Sequence, residues 1–312
     1  METALNGDRQ HEQDRLEHRL VHEGHISLDK SWMMRMGFMD LMQGSTRTVE
    51  LLAPLAQKKL LGDDLMALYE ASVCWLAGSP DIYVGESATL YRFLQFAAWK
   101  LEIEKNFILD GTLKDRPMAK DKGIVHWSQE KLLELNTSQY ASAAALMGDK
   151  KRIENPPFKL KVTYDAIGHY EERKTSETGW GIRYDETLLK QAVAFLKALK
   201  TGVMEFKIGQ AEDYCFARAF GLITKEEGLL LYKSLTGHET NRIEEMERAL
   251  ETASRIGVVD SLDHRVVQAV VMLYRFMGKP IEVVHPEAVN KSWPEFPRFI
   301  ADAPQLARAA IC

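Results

Sequence analysis

The stretch VVQAVVMLYRFMGKPIEVV, residues 266–284, decides the fold class of this chain. Its apolar residues recur every three or four positions from Val266 to Met277, which predicts a helix over that range. The Gly-Lys-Pro turn that follows ends the helix, because glycine and proline are typical of helix C-termini. The β-rich run IEVV, which closes the stretch, predicts a strand. A helix that leads directly into a strand is typical of α/β proteins.

The same alternation recurs elsewhere in the chain. A short β-rich run lies at Phe107–Leu109, and helical spacing of apolar residues predicts helices over 185–199 and 239–256. The sequence therefore predicts an α/β protein throughout.

The composition is that of an ordinary globular protein. With 312 residues, 46% hydrophobic and 27% charged, the chain can bury a large core and is expected to divide into two domains. Its formal net charge of -5 argues against a general affinity for nucleic acid or for anionic membranes. Any anionic ligand must therefore meet a local basic cluster.

The cysteines and the N-terminus indicate a reducing, cytoplasmic location. Cys74, Cys215 and Cys312 are odd in number and far apart, so they predict neither a disulfide framework nor a zinc site. The first 20 residues are dense in charged residues and histidine and contain no apolar core of a secretory signal. No run approaches the roughly 18 apolar residues that would span a bilayer. We expect no contact with a membrane.

The common cofactor motifs are absent from the sequence. There is no GxGxxG after a strand, no GxxxxGK[ST], no HExxH and no GxSxG. Basic residues stand beside small polar or acidic ones at three predicted helix starts: Lys30-Ser31 with Arg35, 86–89 with Arg92, and Asp263-His264-Arg265. Helix N-termini with lysine or arginine bind phosphate and carboxylate, but a single such group is usually a solvated cap.

Two other features have a structural and a functional interpretation. Five methionines follow Lys30 at helical spacing and suggest either a pliable binding surface or core packing, of which core packing is favoured: Met33, Met34, Met36, Met39 and Met42. Cys215 is expected to be a buried helical cysteine rather than a nucleophile.

Seven segments, in order along the chain, carry the pattern of one enzyme family. They are LDKSWMMRMGFMDLMQGSTRTVELL from Leu28, GESATLYRFL from Gly85, DGTLKDRPM from Asp110, NTSQYASAAAL from Asn136, HETNR from His238, DHRVVQAV from Asp263 and PEAVNKSWPEF from Pro286. They resemble the Lys-Ser opening, the glycine-rich segment, the Arg-Pro loop, the Ser-Ser-Gln helix start, and the Lys-Glu-Thr-Asp-Arg, Asp-His-Arg and Lys-Ser-Phe-Pro elements of EPSP synthases. Because all seven occur in family order, the chain resembles a shortened member of that family.

The resemblance implies a two-domain, inside-out α/β barrel of repeated βαβαββ units that closes on its substrate like a hinge. The upper domain would comprise residues 29–178, and the lower one 1–28 plus 179–312. The residues missing relative to the family fall between Tyr164 and Asp213, so about one unit of the lower domain would be reduced or missing. A rearrangement or a partner subunit, as in a homo-oligomer, would then have to cover its exposed helices.

The resemblance also implies the reaction and the residues that bind phosphoenolpyruvate. The family adds an acceptor hydroxyl to C2 of phosphoenolpyruvate while protonating its methylene carbon, then eliminates phosphate from the tetrahedral ketal, with no metal or organic cofactor. Lys30 and Glu239 would move the methylene proton, and Asp213, or the adjacent Glu212, would be the base for the acceptor. The implied phosphoenolpyruvate-binding residues are Lys30, Arg116, Gln139, Arg242, Arg265 and Lys291.

The acceptor half of the site departs from the family pattern. The residues that match positions holding shikimate 3-phosphate are Ser31, Arg35, Thr137, Ser138 and Tyr164. Lys161 replaces a serine, His238 replaces the motif lysine, and Ser234 replaces an asparagine. The glycine-rich segment carries Glu86 and Ala88 where the family has asparagine and glycine. GTLKD lacks the cysteine of related transferases that act on UDP-N-acetylglucosamine, which disfavours that branch.

Three functions follow from this comparison. The leading one is enolpyruvyl transfer to shikimate 3-phosphate in aromatic amino acid biosynthesis. The second is the same transfer onto another phosphorylated hydroxy compound in secondary metabolism. The third is a non-catalytic homologue that binds a ligand or partner, although a binding relic has no need to keep both the proton-transfer groups and the anion-binding residues.

Overall fold

The computed structural model describes residues 13–116, 118–148, 156–173, 180–232, 235 and 241–309. The chain divides into two units: unit 1 comprises Met1–Ser27 with Tyr184–Cys312, and unit 2 comprises Leu28–Arg183. The first boundary between the units lies between Ser27 and Leu28, one residue before the predicted boundary between 28 and 29. The second predicted boundary, between 178 and 179, lies outside the described residues.

Unit 2 is built mainly of helices and contains one short pair of strands. Its elements are α2 (Lys30–Met42), α3 (Arg47–Gln57), α4 (Asp63–Leu76), β1 (Asp81–Gly85), α5 (Ala88–Lys100), β2 (Asn106–Leu109), α6 (Gln129–Leu133), α7 (Gln139–Met147) and α8 (Lys161–Arg173). Short 3-10 turns lie at Gly111–Asp115, Lys122–His126 and Phe158–Leu160.

Unit 1 is also helical, with a second pair of very short strands. Its elements are α1 (13–22), α9 (Glu186–Thr201), α10 (Tyr214–Ala219), α11 (Lys225–Leu231), α12 (Arg242–Ile256), β3 (Val258–Val259), α13 (His264–Phe276), β4 (Glu282–Val283) and α14 (Phe296–Ala309). Further 3-10 turns lie at Ala211–Asp213 and Pro286–Lys291. The helices predicted over 185–199 and 266–277 are confirmed as α9 and α13. The helix predicted over 239–256 is confirmed as α12 from Arg242 onward, while residues 239 and 240 lie outside the described residues.

The first helix of unit 2 is apolar around most of its circumference. Nine of the 13 residues of α2 are buried, among them Met33, Met34, Met36 and Met39, so the core-packing interpretation of the methionines is confirmed for these four. A helix without a polar face has to be enclosed on all sides, and α2 packs against α3, α4, α5, α7 and α8. A β-carbon at Gly37 would lie 3.1 Å from side-chain atoms of Leu68 and Thr48. Glycine at this position therefore permits the close approach of α3 and α4.

Each unit contains one βαβ segment. In unit 2, β1 and β2 pair in parallel, from Asp81 opposite Asn106 to Gly85 opposite Leu109, and α5 connects them. In unit 1, β3 and β4 pair in parallel, and α13 connects them. A parallel pair requires a crossover of this kind, because its strands cannot be joined by a tight turn. The described chain is thus a mixed α/β protein that is rich in helix.

The repeated βαβαββ units of an inside-out barrel are not formed by the described residues, whose only sheets are these two strand pairs. Most apolar residues recur at helical spacing, so little sequence remains for strands. One strand-like pattern is residues 203–209, where exposed Val203, Glu205 and Lys207 alternate with half-buried residues, as in a strand with one buried face. No described strand pairs with this segment.

A buried carboxylate ties together the helices around α2. Asp40 is 1% exposed and accepts hydrogen bonds from Thr48 Oγ1 at 2.6 Å, Tyr170 Oη at 2.9 Å and Trp180 Nε1 at 3.0 Å. These donors come from α3, from α8 and from the segment after α8. A charged group is tolerated in a protein interior only when such partners replace its water, so Asp40 fixes three separate segments at one point.

The two ends of unit 2 are joined to each other. The Asp29 N–H donates to the Arg183 carbonyl at 2.8 Å, and the Arg183 guanidinium lies 3.6 Å from the Asp29 carboxylate and 4.9 Å from the centre of the Trp32 ring. The chain therefore enters and leaves unit 2 at neighbouring positions.

The core of unit 1 includes aromatic side chains of α9 and of the C-terminal region. Trp293 stacks on Phe299, and its Nε1 donates to the His25 carbonyl at 2.7 Å. His25 is 3% exposed, and its Nδ1 has no hydrogen-bond partner. Burial and the charge of Arg298 lower the pKa of His25 below its ordinary value, although Asp302 and Glu23 oppose the shift. The folded protein therefore favours the neutral imidazole.

Among the described residues, no helix combines the length and the apolar character needed to cross a membrane.

We expect Asp40→Asn to lower the free energy of unfolding of unit 2 by about 1–3 kcal/mol, because an amide cannot accept hydrogen bonds from all three donors. Urea denaturation followed by tryptophan fluorescence would measure the loss. Asp165→Asn, an exposed change on α8, is the matched control and should have little effect. Equal effects of the two substitutions would contradict the role given to Asp40.

The His25 site predicts acid sensitivity. Because the folded pKa lies below 6.5, the unfolded chain binds the proton more readily, and the free energy of unfolding should fall as pH drops below about 6.5. His25→Gln should reduce this pH dependence, whatever its effect at pH 7.5, whereas His22→Gln, an exposed change on α1, should retain it. Urea titrations at pH 5.5 and 7.5 would measure how much the free energy of unfolding changes between the two pH values. The same change in wild type and in both variants would refute the assignment to His25.

Candidate functional site

Two of the predicted phosphoenolpyruvate residues of unit 2, Lys30 and Gln139, lie at helix starts. Gln139 begins α7, and its amide donates to Thr89 Oγ1 on α5 at 2.6 Å. Its carbonyl oxygen accepts a hydrogen bond from Arg92 Nη1. The glycine-rich segment after β1 and the Ser-Gln segment before α7 are thus joined through Gln139. Arg92, absent from the predicted site, belongs to this group.

Lys30 is the first residue of α2, directly after the capping carboxylate of Asp29. Its Nζ lies 2.9 Å from Asp64 Oδ2 at the start of α4. A ligand that binds Lys30 must therefore compete with a carboxylate of the protein itself.

Arg116 follows the 3-10 turn Gly111–Asp115 and is half-buried. Three residues later the chain is fixed at Ala119, whose N–H donates to Tyr140 Oη at 3.3 Å and whose carbonyl accepts from Gln95 Nε2 at 3.3 Å. Tyr140 Oη also donates to Gln95 Oε1 at 2.8 Å. These two buried side chains restrict where the Arg116 segment can lie. Neither Gln95 nor Tyr140 was predicted from the sequence, although Thr89, Arg92 and Gln95 form a polar line at helical spacing on α5.

Two of the predicted acceptor residues are in contact. Arg35 Nη1 donates to Ser31 Oγ at 2.6 Å and to the Ser31 carbonyl at 2.7 Å, within α2. Arg35 Nε donates to Thr163 Oγ1 on α8 at 3.0 Å, and Thr163 lies 2.9 Å from Ser142 Oγ on α7. Thr163 and Ser142 were not predicted.

The remaining predicted acceptor residues do not join this group through any described hydrogen bond. Tyr164 Oη bonds to the side-chain amide of Gln129 at 2.9 Å. Thr137 Oγ1 accepts the Gln139 N–H at 3.2 Å, and Ser138 is the N-cap of α7. Lys161 begins α8 and is exposed. His238 and Ser234 lie outside the described residues.

In unit 1, two predicted arginines meet at one carboxylate. Arg242 begins α12, and its Nε lies 2.8 Å from Asp263 Oδ2. Asp263 caps α13 by accepting the Arg265 N–H at 3.0 Å. Burial would raise the pKa of Asp263, but the charge and hydrogen bond of Arg242, with Arg265, outweigh burial and hold that pKa below its ordinary value. The start of α12 therefore brings the Arg242 guanidinium to the carboxylate that caps α13 through the Arg265 N–H.

Asp213, the predicted base, is buried and already holds three donors. Its carboxylate accepts from Gln191 Nε2 at 3.1 Å and from the backbone N–H groups of Gly209 at 2.9 Å and Gln210 at 3.2 Å. The neighbouring Glu212 is exposed. Asp213 thus has a structural role in the turn before α10.

Two further positions, Lys291 and Glu239, complete the predicted site. Lys291 ends the 3-10 turn Pro286–Lys291, which packs on α13, and it is half-buried. Glu239 lies outside the described residues. Cys215 is buried in α10, and burial raises the pKa of its thiol to about 12, which confirms the expectation of a structural cysteine and opposes thiolate chemistry.

No group of three or more histidine, cysteine or acidic side chains among the described residues is arranged to hold a metal ion. Comparisons of the chain with family models, with curated proteins and with solved structures found no match.

We expect Asp263→Asn to lower the free energy of unfolding at pH 7 by about 1–3 kcal/mol, because the amide keeps the helix cap but loses the charge that pairs with Arg242. Since the folded pKa lies below 3.8, the contribution of Asp263 is present above that pH and is lost as the pH falls through the folded pKa. The difference between wild type and variant should therefore shrink in acid.

Urea denaturation of wild type and Asp263→Asn would measure the difference in their free energies of unfolding at pH 7 and at pH 3.5. Glu251→Gln, an exposed change on α12, is the control and should leave the free energy of unfolding unchanged at both pH values. A difference that is the same at both pH values would contradict the ion pair as its source.

Proposed function

We propose that this protein transfers the enolpyruvyl group of phosphoenolpyruvate to the hydroxyl of shikimate 3-phosphate. The acceptor oxygen bonds to C2 while the methylene carbon gains a proton. The C2–O bond to phosphate then breaks, and the new methyl carbon loses a proton to restore the double bond. Phosphate leaves, and no oxidant or reductant is needed.

The observation that carries the proposal is the placement of Arg242 and Arg265 in the first turns of α12 and α13. A cation in the first turn of a helix faces the positive end of the helix dipole, which is unfavourable for stability. Asp263 offsets that cost. Cations held at such positions favour a bound anion, and guanidinium groups grip phosphate and carboxylate in a bidentate manner. Phosphoenolpyruvate carries one group of each kind.

Unit 2 supplies a second supporting observation. Gln139, Thr89 and Arg92 are joined by hydrogen bonds next to the end of β1, where the glycine-rich segment lies. The carboxyl ends of parallel strands commonly carry ligand sites. We propose that the β1–α5–β2 segment and the β3–α13–β4 segment correspond to parts of the repeated units of the EPSP synthase fold.

A second candidate, binding without turnover, is favoured by the contacts of the two proton-transfer residues. Lys30 is paired with Asp64, and the Asp213 carboxylate already accepts three hydrogen bonds. Residues held in this way can stabilise the fold with no catalytic role. Under this alternative the chain binds phosphoenolpyruvate but releases no phosphate.

A coupled assay of phosphate release decides between the two. With phosphoenolpyruvate and shikimate 3-phosphate, we expect release that requires both compounds. Binding of phosphoenolpyruvate by calorimetry, with no release for any of a panel of phosphorylated hydroxy compounds, would establish the second candidate. Release with another member of the panel, and none with shikimate 3-phosphate, would reassign the acceptor.

We expect Lys30→Ala and Asp213→Asn each to lower kcat by at least about 100-fold, because each removes a proton-transfer group. Asparagine is chosen at 213 because its oxygen can still accept hydrogen bonds from the turn. Lys190→Ala on α9 and Asp165→Asn on α8, both exposed, are the matched controls and should keep wild-type activity. Circular dichroism and thermal unfolding would verify the fold, and full activity in either test variant would remove that residue from the mechanism.

A further inference from the structure

Arg35 is held by hydroxyl and carbonyl oxygens rather than by a carboxylate. Its Nε donates to Thr163 Oγ1, and its Nη1 donates to the carbonyl and Oγ of Ser31. Among the described residues, no carboxylate oxygen lies within 4.0 Å of its guanidinium. Asp29 acts on it only through space. The positive charge of Arg35 is therefore solvated by neutral groups.

The guanidinium nevertheless remains charged at neutral pH. Burial lowers the pKa of Arg35 to about 10, against the opposing charge of Asp29. A half-buried cation without a close carboxylate is costly. Such a cost is offset when an anion binds, because the hydrogen bonds between a guanidinium and an oxyanion are charge-assisted.

Two contacts fix the plane of this guanidinium. Thr163 holds it at Nε from α8, and Ser31 holds it at Nη1 from within α2. Nη2 makes no hydrogen bond with the described residues, and it is not buried. An edge of the group is thus left for a ligand, in an orientation set by its partners.

Thr163 is itself held in place. It is 0% exposed, and its hydroxyl lies 2.9 Å from that of Ser142, which is 1% exposed on α7. A buried hydroxyl pair of this kind has few alternative arrangements, because each group must keep a partner. Three helices, α2, α7 and α8, therefore contribute to the orientation of one side chain.

We propose that Thr163, supported by Ser142, is a positioning residue that orients the Arg35 guanidinium to bind the phosphate of an anionic ligand. Thr163 does not touch the ligand and acts through Arg35. The inference rests on the proposed function only for the identity of the ligand, which would then be the phosphorylated acceptor.

The test uses inorganic phosphate and the full chain, so it does not depend on turnover. Isothermal titration of wild type, Thr163→Val, Thr163→Ser and Arg35→Gln would give the dissociation constants. We expect Thr163→Val to weaken phosphate binding about tenfold, the effect of a lost hydrogen bond to a charged group. Thr163→Ser should restore binding to within about twofold of wild type, because it keeps the hydroxyl.

A double variant separates positioning from stability. If Thr163 acts through Arg35, adding Thr163→Val to Arg35→Gln should weaken phosphate binding no further. Thr48→Val removes another buried hydroxyl in the same unit and is the matched control, with phosphate affinity unchanged. The absence of phosphate binding in wild type, additive effects in the double variant, or unchanged affinity in Thr163→Val would each overturn the inference.

The outcome can be told apart from that of the proposed function. If the enzyme turns over, Thr163→Val should raise KM for the phosphorylated acceptor with little change in kcat. Phosphate binding that depends on Thr163 without any turnover would refute the proposed function and leave this inference standing. If the enzyme turns over and Thr163→Val leaves the KM for the phosphorylated acceptor unchanged, this inference is refuted and the proposed function stands.

Discussion

The helix α2 is apolar on nearly every face, so unit 2 can be stable only if other helices enclose it. Five helices do so, and all of them follow α2 in the chain, from the adjacent α3 to the distant α8. Asp40 lies within this packing and gives three of the surrounding segments a polar anchor. Hydrophobic enclosure provides the driving force, and the buried carboxylate adds specificity, because only one arrangement satisfies all its donors.

The same enclosure determines which charged side chains face one another. Lys30, Ser31 and Arg35 lie on the first two turns of α2, so the residues they meet are those of the enclosing helices: Asp64 from α4 and Thr163 from α8. In unit 1, the apolar faces of α12 and α13 pack together and bring their N-termini to Asp263. In both units, packing of apolar faces positions the polar groups.

Sequence patterns predicted the local structure better than its assembly. The helices α9, α12 and α13 follow from apolar spacing, and the buried methionines of α2 follow from their density. The alternation of helix-like and strand-like segments predicted a mixed α/β protein, but it did not predict that the described residues would form only two pairs of strands. Pairing depends on residues distant in sequence, and the strand-like segment 203–209 has the pattern of a strand without a described neighbour.

For the site, the sequence identified the cations but not the contacts that hold them. Arg35 stands out as a basic residue at a predicted helix start, whereas its partner Thr163 carries no such signal. Asp263 belongs to another predicted helix start, but nothing in the sequence pairs it with Arg242. Thr163 is separated from Arg35 by 128 positions, and no spacing rule connects the two. Gln95 and Tyr140 were missed for the same reason, because a polar side chain on an apolar helix can be interpreted only when its neighbour is known.

The joined ends of unit 2 also affect how the chain can fold. Unit 2 is continuous from Leu28 to Arg183, whereas unit 1 is interrupted by it. Leu16, Leu20 and Ile26 belong to the same core as residues after 187, so during synthesis they leave the ribosome long before that core can form. At about 5–20 residues per second, synthesis of the stretch between Ile26 and Leu188 alone delays their contact by roughly 10–30 s. This segment is therefore made before unit 2 but is buried only after unit 2 has been synthesised.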